Sequence, residues 1–159
     1  MGFKPGTEKL GELEVTGAAT VLGALKYRNK IIQGKADGYT MLTTESGCIV
    51  AQTTGTGTPG DTTITLPPTA VGVVYTFFWF GDAESGFHIS PNASDMIAGS
   101  IIDIANGNVV TAASNGRGTD DKDLILDTGS KVGDRITLVA NGQSGWMIVE
   151  GLGNWSFES

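Results

Sequence analysis

Apolar and polar positions in this chain follow a two-residue period far more often than a helical one. Thr62–Leu66 alternates polar and apolar and stops at Pro67-Pro68, where proline cannot donate to a β-ladder. Val73–Phe80 is the strongest apolar run, β-branched and aromatic, and too short for a typical buried helix, so it reads as a central strand. Arg135–Ala140 alternates again, with Ile136, Leu138 and Ala140 on one side and Thr137 and Val139 on the other. Shorter strand signals fall at Asn29–Gln33, Tyr39–Thr44, Cys48–Thr53, Phe87–Ser90, Met96–Ala98 and Ser100–Ile104. Further ones fall at Val109–Ala113, Leu124–Asp127, Trp146–Glu150 and Trp155–Phe157. Turns separate them: Asn106-Gly107 between apolar runs is the best hairpin signal, with Asn115-Gly116 and Asn141-Gly142 as others.

Leu10–Leu25 is the one helix candidate, and Gly11, Gly17 and Gly23 interrupt it at about 1 kcal/mol each. Residues 1–28 are therefore expected to form an extended arm, with a short strand at Glu12–Thr16. Residues 29–159 are expected to form one domain. Ten or more short strands with glycine-rich turns imply an all-β fold, a jelly-roll-like antiparallel β-sandwich.

Composition sharpens this picture. Glycine is the commonest residue, 24 of 159, which suits tight turns. A chain this long buries roughly 68–70% of its unfolded surface, enough for a core without staples. Cys48 is the single cysteine and lies in an apolar run, so it reads as a buried, inert thiol. The net charge of −7 is unevenly spread. Residues 1–35 carry six cations and three anions, and the rest of the chain carries four cations and fourteen anions. An acidic body repels phosphate, so nucleic acid is not an expected partner. No run approaches the roughly 18 apolar residues of a membrane helix, and the first residues lack a signal-peptide core. Synthesis in a cytoplasm, with no membrane partner, is the expectation.

Candidate chemistry is sparse. His88 is the only histidine and sits within strand residues, so a Ser-His-Asp triad would depend on it alone. It reads as a polar-face residue. Two carboxylates suffice for a glycosidase, and Asp82 with Glu84, or Asp120, Asp121, Asp123 and Asp127, could supply them. The second group could also hold a cation, although it reads better as a solvated loop. Gly55-Thr56-Gly57 and Gly116-Arg117-Gly118 lack the Lys-Ser/Thr and the following helix of a phosphate loop. Trp146 and Trp155 stand near turns, either as lids on the core or as an exposed sugar platform. No catalytic residue, metal or cofactor is assigned.

The cadence Ala36-Asp37-Gly38-Tyr39-Thr40, Thr63-Ile64-Thr65-Leu66-Pro67, Gly72-Val73-Val74-Tyr75-Thr76-Phe77 and Ile89-Ser90-Pro91-Asn92 is distinctive. It closes with Gly133–Ala140, Gly145–Val149 and Gly153-Asn154-Trp155. Over about residues 30–157 this resembles a β-domain of tailed-phage virion proteins, which include head decoration (cement) proteins and tail-fibre modules. The resemblance implies a non-catalytic decoration protein on the outer capsid surface, a homotrimer bound to the major capsid protein. Lys4, Lys9, Lys26 and Arg28 of the arm are then the expected capsid or protomer contacts. The alternative is a tail-fibre or receptor-binding module that holds a host glycan on exposed aromatics.

Overall fold

A computed structural model describes residues 30–53, 62–81, 86–92, 95–103, 107–111, 123–127, 129–143 and 145–157. The expected arm at residues 1–28, and its boundary with the body, lie outside this set.

The described residues form two packed sheets. The larger contains β1 (Ile31–Gln33), β3 (Cys48–Gln52), β5 (Val74–Trp79), β11 (Arg135–Ala140), β12 (Gly145–Leu152), β8 (Ser100–Asp103) and β9 (Asn108–Thr111), in that spatial order. β7 (Met96–Ala98) also pairs with β12. The smaller sheet runs β13 (Trp155–Phe157), β10 (Leu124–Leu126), β6 (Phe87–Ser90), β4 (Thr62–Thr65), β2 (Tyr39–Thr40). The fold is an all-β sandwich, as the period-two pattern predicts.

Strand direction differs from the antiparallel, jelly-roll-like expectation. The first six strands alternate between the sheets, and their neighbours β1–β3, β3–β5, β2–β4 and β4–β6 are all parallel. Each turn carries the chain across to the opposite sheet instead of folding it back beside itself. Residues 34–47 supply the dozen or so positions that a parallel crossover needs, and β2 is built into that crossover. Antiparallel pairing enters later, in β5–β11, β11–β12, β6–β10, β10–β13 and β8–β9. Two of these pairs flank the Asn-Gly sites read from the sequence. Asn141 Oδ1 accepts from the Gln143 and Gly145 N–H groups and so fixes the β11–β12 turn.

The core follows the alternation. Tyr75, Phe77 and Trp79 of β5 point inward and are buried. Phe87 of the opposite sheet is the joint, with ring centroids 6.0 Å from Phe77, 6.1 Å from Trp79 and 6.3 Å from Trp155. Gly99 separates β7 from β8 at φ 139°, and a Cβ there would lie 2.7 Å from the Ile148 Cβ. Only glycine fits this conformation and this approach.

The expected strand over Tyr39–Thr44 ends at Thr40, and a 3-10 turn follows at Thr43–Glu45. The cause is the buried Glu45. Its carboxylate accepts the Leu42 N–H at 3.0 Å, the Lys35 ammonium at 2.9 Å and the Tyr39 hydroxyl at 3.0 Å. The ammonium also sits 3.8 Å from the Tyr39 ring centroid.

Candidate assembly face

The two outward faces of the sandwich differ in chemistry. The smaller sheet presents Thr40, Thr63, Thr65, His88, Ser90, Ile125 and Ser156, joined across its strands by register. Six of these seven side chains are polar, so this face is suited to water.

The larger sheet presents three rows. In the first, Val74 pairs with Val139, Val139 with Met147, and Met147 with Ala98. In the third, Phe78 pairs with Arg135, Arg135 with Leu152, and Leu152 with Ile102, with the buried Ala51 beside Phe78. Between them run Ile31, Ile49, Thr76, Thr137 and Glu150. Ile31 is 61% exposed, Ile102 57%, Phe80 49% and Met147 48%. A register shift in β12 leaves Val149 without a partner in β11 and 55% exposed. The Phe78 and Phe80 rings lie 4.6 Å apart at one end.

The polar side chains of these rows bond one another. Thr76 and Thr137 hydroxyls meet at 3.0 Å. Arg135 Nε and Nη2 each donate to Glu150 Oε1 at 2.8 Å. A partner could therefore cover the face without stranding these groups, which is the usual obstacle to burying polar atoms. Contiguous exposed apolar surface of this kind marks interaction sites.

The sequence-derived candidates are placed as follows. Lys4, Lys9, Lys26, Arg28, Asp82, Glu84, Asp120 and Asp121 lie outside the described residues. His88 faces outward on β6, as its polar-face reading requires, and its Nδ1 lies 3.8 Å from Asp123 Oδ2. No group of three or more His, Cys, Asp and Glu side chains among the described residues is placed to hold a metal ion. Trp146 and Trp155 are both buried, so neither offers a sugar platform. The Trp155 indole N–H donates to the Leu152 carbonyl at 3.1 Å. Cys48 is buried, and burial, with Glu45 nearby, pushes its thiol above the ordinary value. For Glu45, burial alone would raise the carboxyl; its bonds from Leu42, Lys35 and Tyr39 outweigh that and hold it below the usual range.

Sequence reasoning missed the apolar face. The signal was present in the outward positions of β5, β11 and β12, where Val74, Phe78, Val139 and Met147 stand in place of the usual polar residues. Reading it required the pairing order, which places these strands side by side.

No helix among the described residues is long and apolar enough to cross a membrane. No known protein family, curated protein or solved structure matches the chain.

Proposed function

We propose that this chain is a non-catalytic decoration protein of a tailed-phage head. Copies associate, as a homotrimer, through the apolar outer face of the larger sheet. The assembly then grips the major capsid protein on the outer surface of the virion. The observation that carries this reading is the contrast between the outer faces. One is threonine- and serine-rich, and the other is apolar with its few polar groups already paired. The phage-like cadence of residues 30–157 points to the same class. Repetition over a capsid lattice would multiply weak contacts into firm attachment, because each bound site raises the effective concentration at the next.

The test uses heads that lack the protein. Added protein should form a defined oligomer, sediment with the heads and raise their resistance to heat. A strict monomer that stays in the supernatant would overturn the proposal.

A further inference from the structure

We infer that the cleft between the turn before β11 and the turn joining β12 to β13 binds a small organic acid. Lys131 and Arg135 hold its carboxylate, and Val132 and Leu152 cover its carbon skeleton. The site needs no capsid and is independent of the assembly reading above.

The cleft has a volume of about 500 Å3, within the range of sites that take small molecules. Its walls come from two turns that the fold pins together. The Asp127 N–H donates to the Asn154 carbonyl at 2.9 Å, and the Gly133 N–H to the Trp79 carbonyl at 2.9 Å. Asp134 Oδ2 accepts the Lys131 N–H at 3.0 Å and the Asn154 N–H at 3.2 Å, and so ties one turn to the other. Gly153, at φ 118°, permits this closeness, because a Cβ there would lie 2.3 Å from Asp134 Cγ. At Gly133, φ 107°, a Cβ would meet nothing within 4 Å, so the backbone is bare where it lines the cleft. A shape held by these bonds is set before a ligand arrives, which lowers the cost of binding.

The charge pattern selects the ligand. After residue 35 the chain has four cations against fourteen anions, and two of the four, Lys131 and Arg135, line this cleft. Asp134 is the acid among the lining residues, and its Oδ2 is already engaged by two N–H groups. Glu150 Oε1 takes the Arg135 Nε and Nη2 donors, which leaves Nη1 without a partner among the described residues. Lys131 makes no ion pair among the described residues. An ammonium and the free edge of a guanidinium on one cleft match a carboxylate. Val132, 61% exposed, and Leu152 add an apolar wall, which a carbon skeleton can use and inorganic phosphate cannot. Arg135 and Leu152 also stand in the third row of the apolar face, so the cleft opens at its rim.

The test is an amide proton–nitrogen NMR titration of the full-length protein without heads. The probes are sodium benzoate, benzamide, which keeps the shape without the charge, and inorganic phosphate, which keeps the charge without the ring. Benzoate should shift the Val132, Gly133 and Gly153 amides saturably, with a Kd on the order of 1 mM. Benzamide and phosphate should bind at least about tenfold more weakly. Lys131→Gln should weaken benzoate about tenfold, whereas Lys131→Arg should stay within about twofold of the wild type. Met147→Asp, as single copies with the rim of the face uncovered, should respond to benzoate at least as strongly as the wild type. Cleft amides unmoved in both the wild type and Met147→Asp overturn the inference. So does an equal response to benzamide or to phosphate, or a benzoate response that Lys131→Gln leaves intact.

Discussion

Met147→Asp is the sharpest perturbation of the apolar face. Met147 is 48% exposed and is the cross-strand neighbour of Val139. In an isolated copy the substitution leaves the core untouched, and lost cross-strand packing and strand preference cost about 1 kcal/mol at most. In the proposed homotrimer the effect is larger. Covering the remaining half of a methionine side chain contributes roughly 1 kcal/mol, since full burial is worth about 1.5–3 kcal/mol. A carboxylate in the same place is left buried and unpaired, at about 3–5 kcal/mol. A total of roughly 4–6 kcal/mol weakens association by about three to four orders of magnitude per contact, at about 1.4 kcal/mol per tenfold. The assay is sedimentation equilibrium of Met147→Asp beside Thr63→Asp, which places the same charge on the polar face, with urea melts for both. The expected result is loss of the oligomer in the first variant alone, with both melts within about 1 kcal/mol of the wild type. Equal weakening by the two variants, or an unchanged oligomer in Met147→Asp, would refute the reasoning.

Other expectations follow from the interior. Phe87→Ala removes the ring that joins the two sheets and should destabilise the fold by about 3–5 kcal/mol in urea. Because the Glu45 carboxyl is held below its ordinary value of 4.5, its contribution is present above that value and lost as pH falls through the lowered one. The stability gap between wild type and Glu45→Gln, measured by urea melts, should be constant from pH 7 to 5 and narrow on further acidification; a gap that widens in acid contradicts the assignment. The buried Cys48 should resist a thiol reagent in native buffer and react fully in denaturant. Gly99→Ala should lower the melting temperature, since it puts a side chain at φ 139° against Ile148; an unchanged melt would show that the β7–β8 break has another cause.

Much of the sandwich was legible because its strands are half-buried and obey the two-residue period. β5 and β11 show this best: every second residue is in the core, and the sequence announces it. What stayed hidden was long-range. Nothing local tells a turn such as residues 34–38 to cross to the other sheet, so the sandwich was expected to be antiparallel, whereas β1–β3 and β2–β4 are parallel. The shortening of the Tyr39 strand was hidden for a related reason, since it depends on the contacts Glu45 makes with Lys35 and Tyr39 once all three are in place. The tryptophans were ambiguous because a turn-flanking indole can face either way. Packing decides, and Trp146 lies 5.6 Å from the Tyr75 ring in the core.

The claim that most needs a direct measurement is that assembly hides the outer surface of the larger sheet. Carbene footprinting of the wild-type protein, assembled and then diluted to single copies, reads it side chain by side chain. Met147, Ile102 and Phe80 should be shielded when assembled and labelled after dilution, while Thr63 and Thr65 are labelled throughout. Labelling of Met147, Ile102 and Phe80 at full strength in the assembled state would contradict the account.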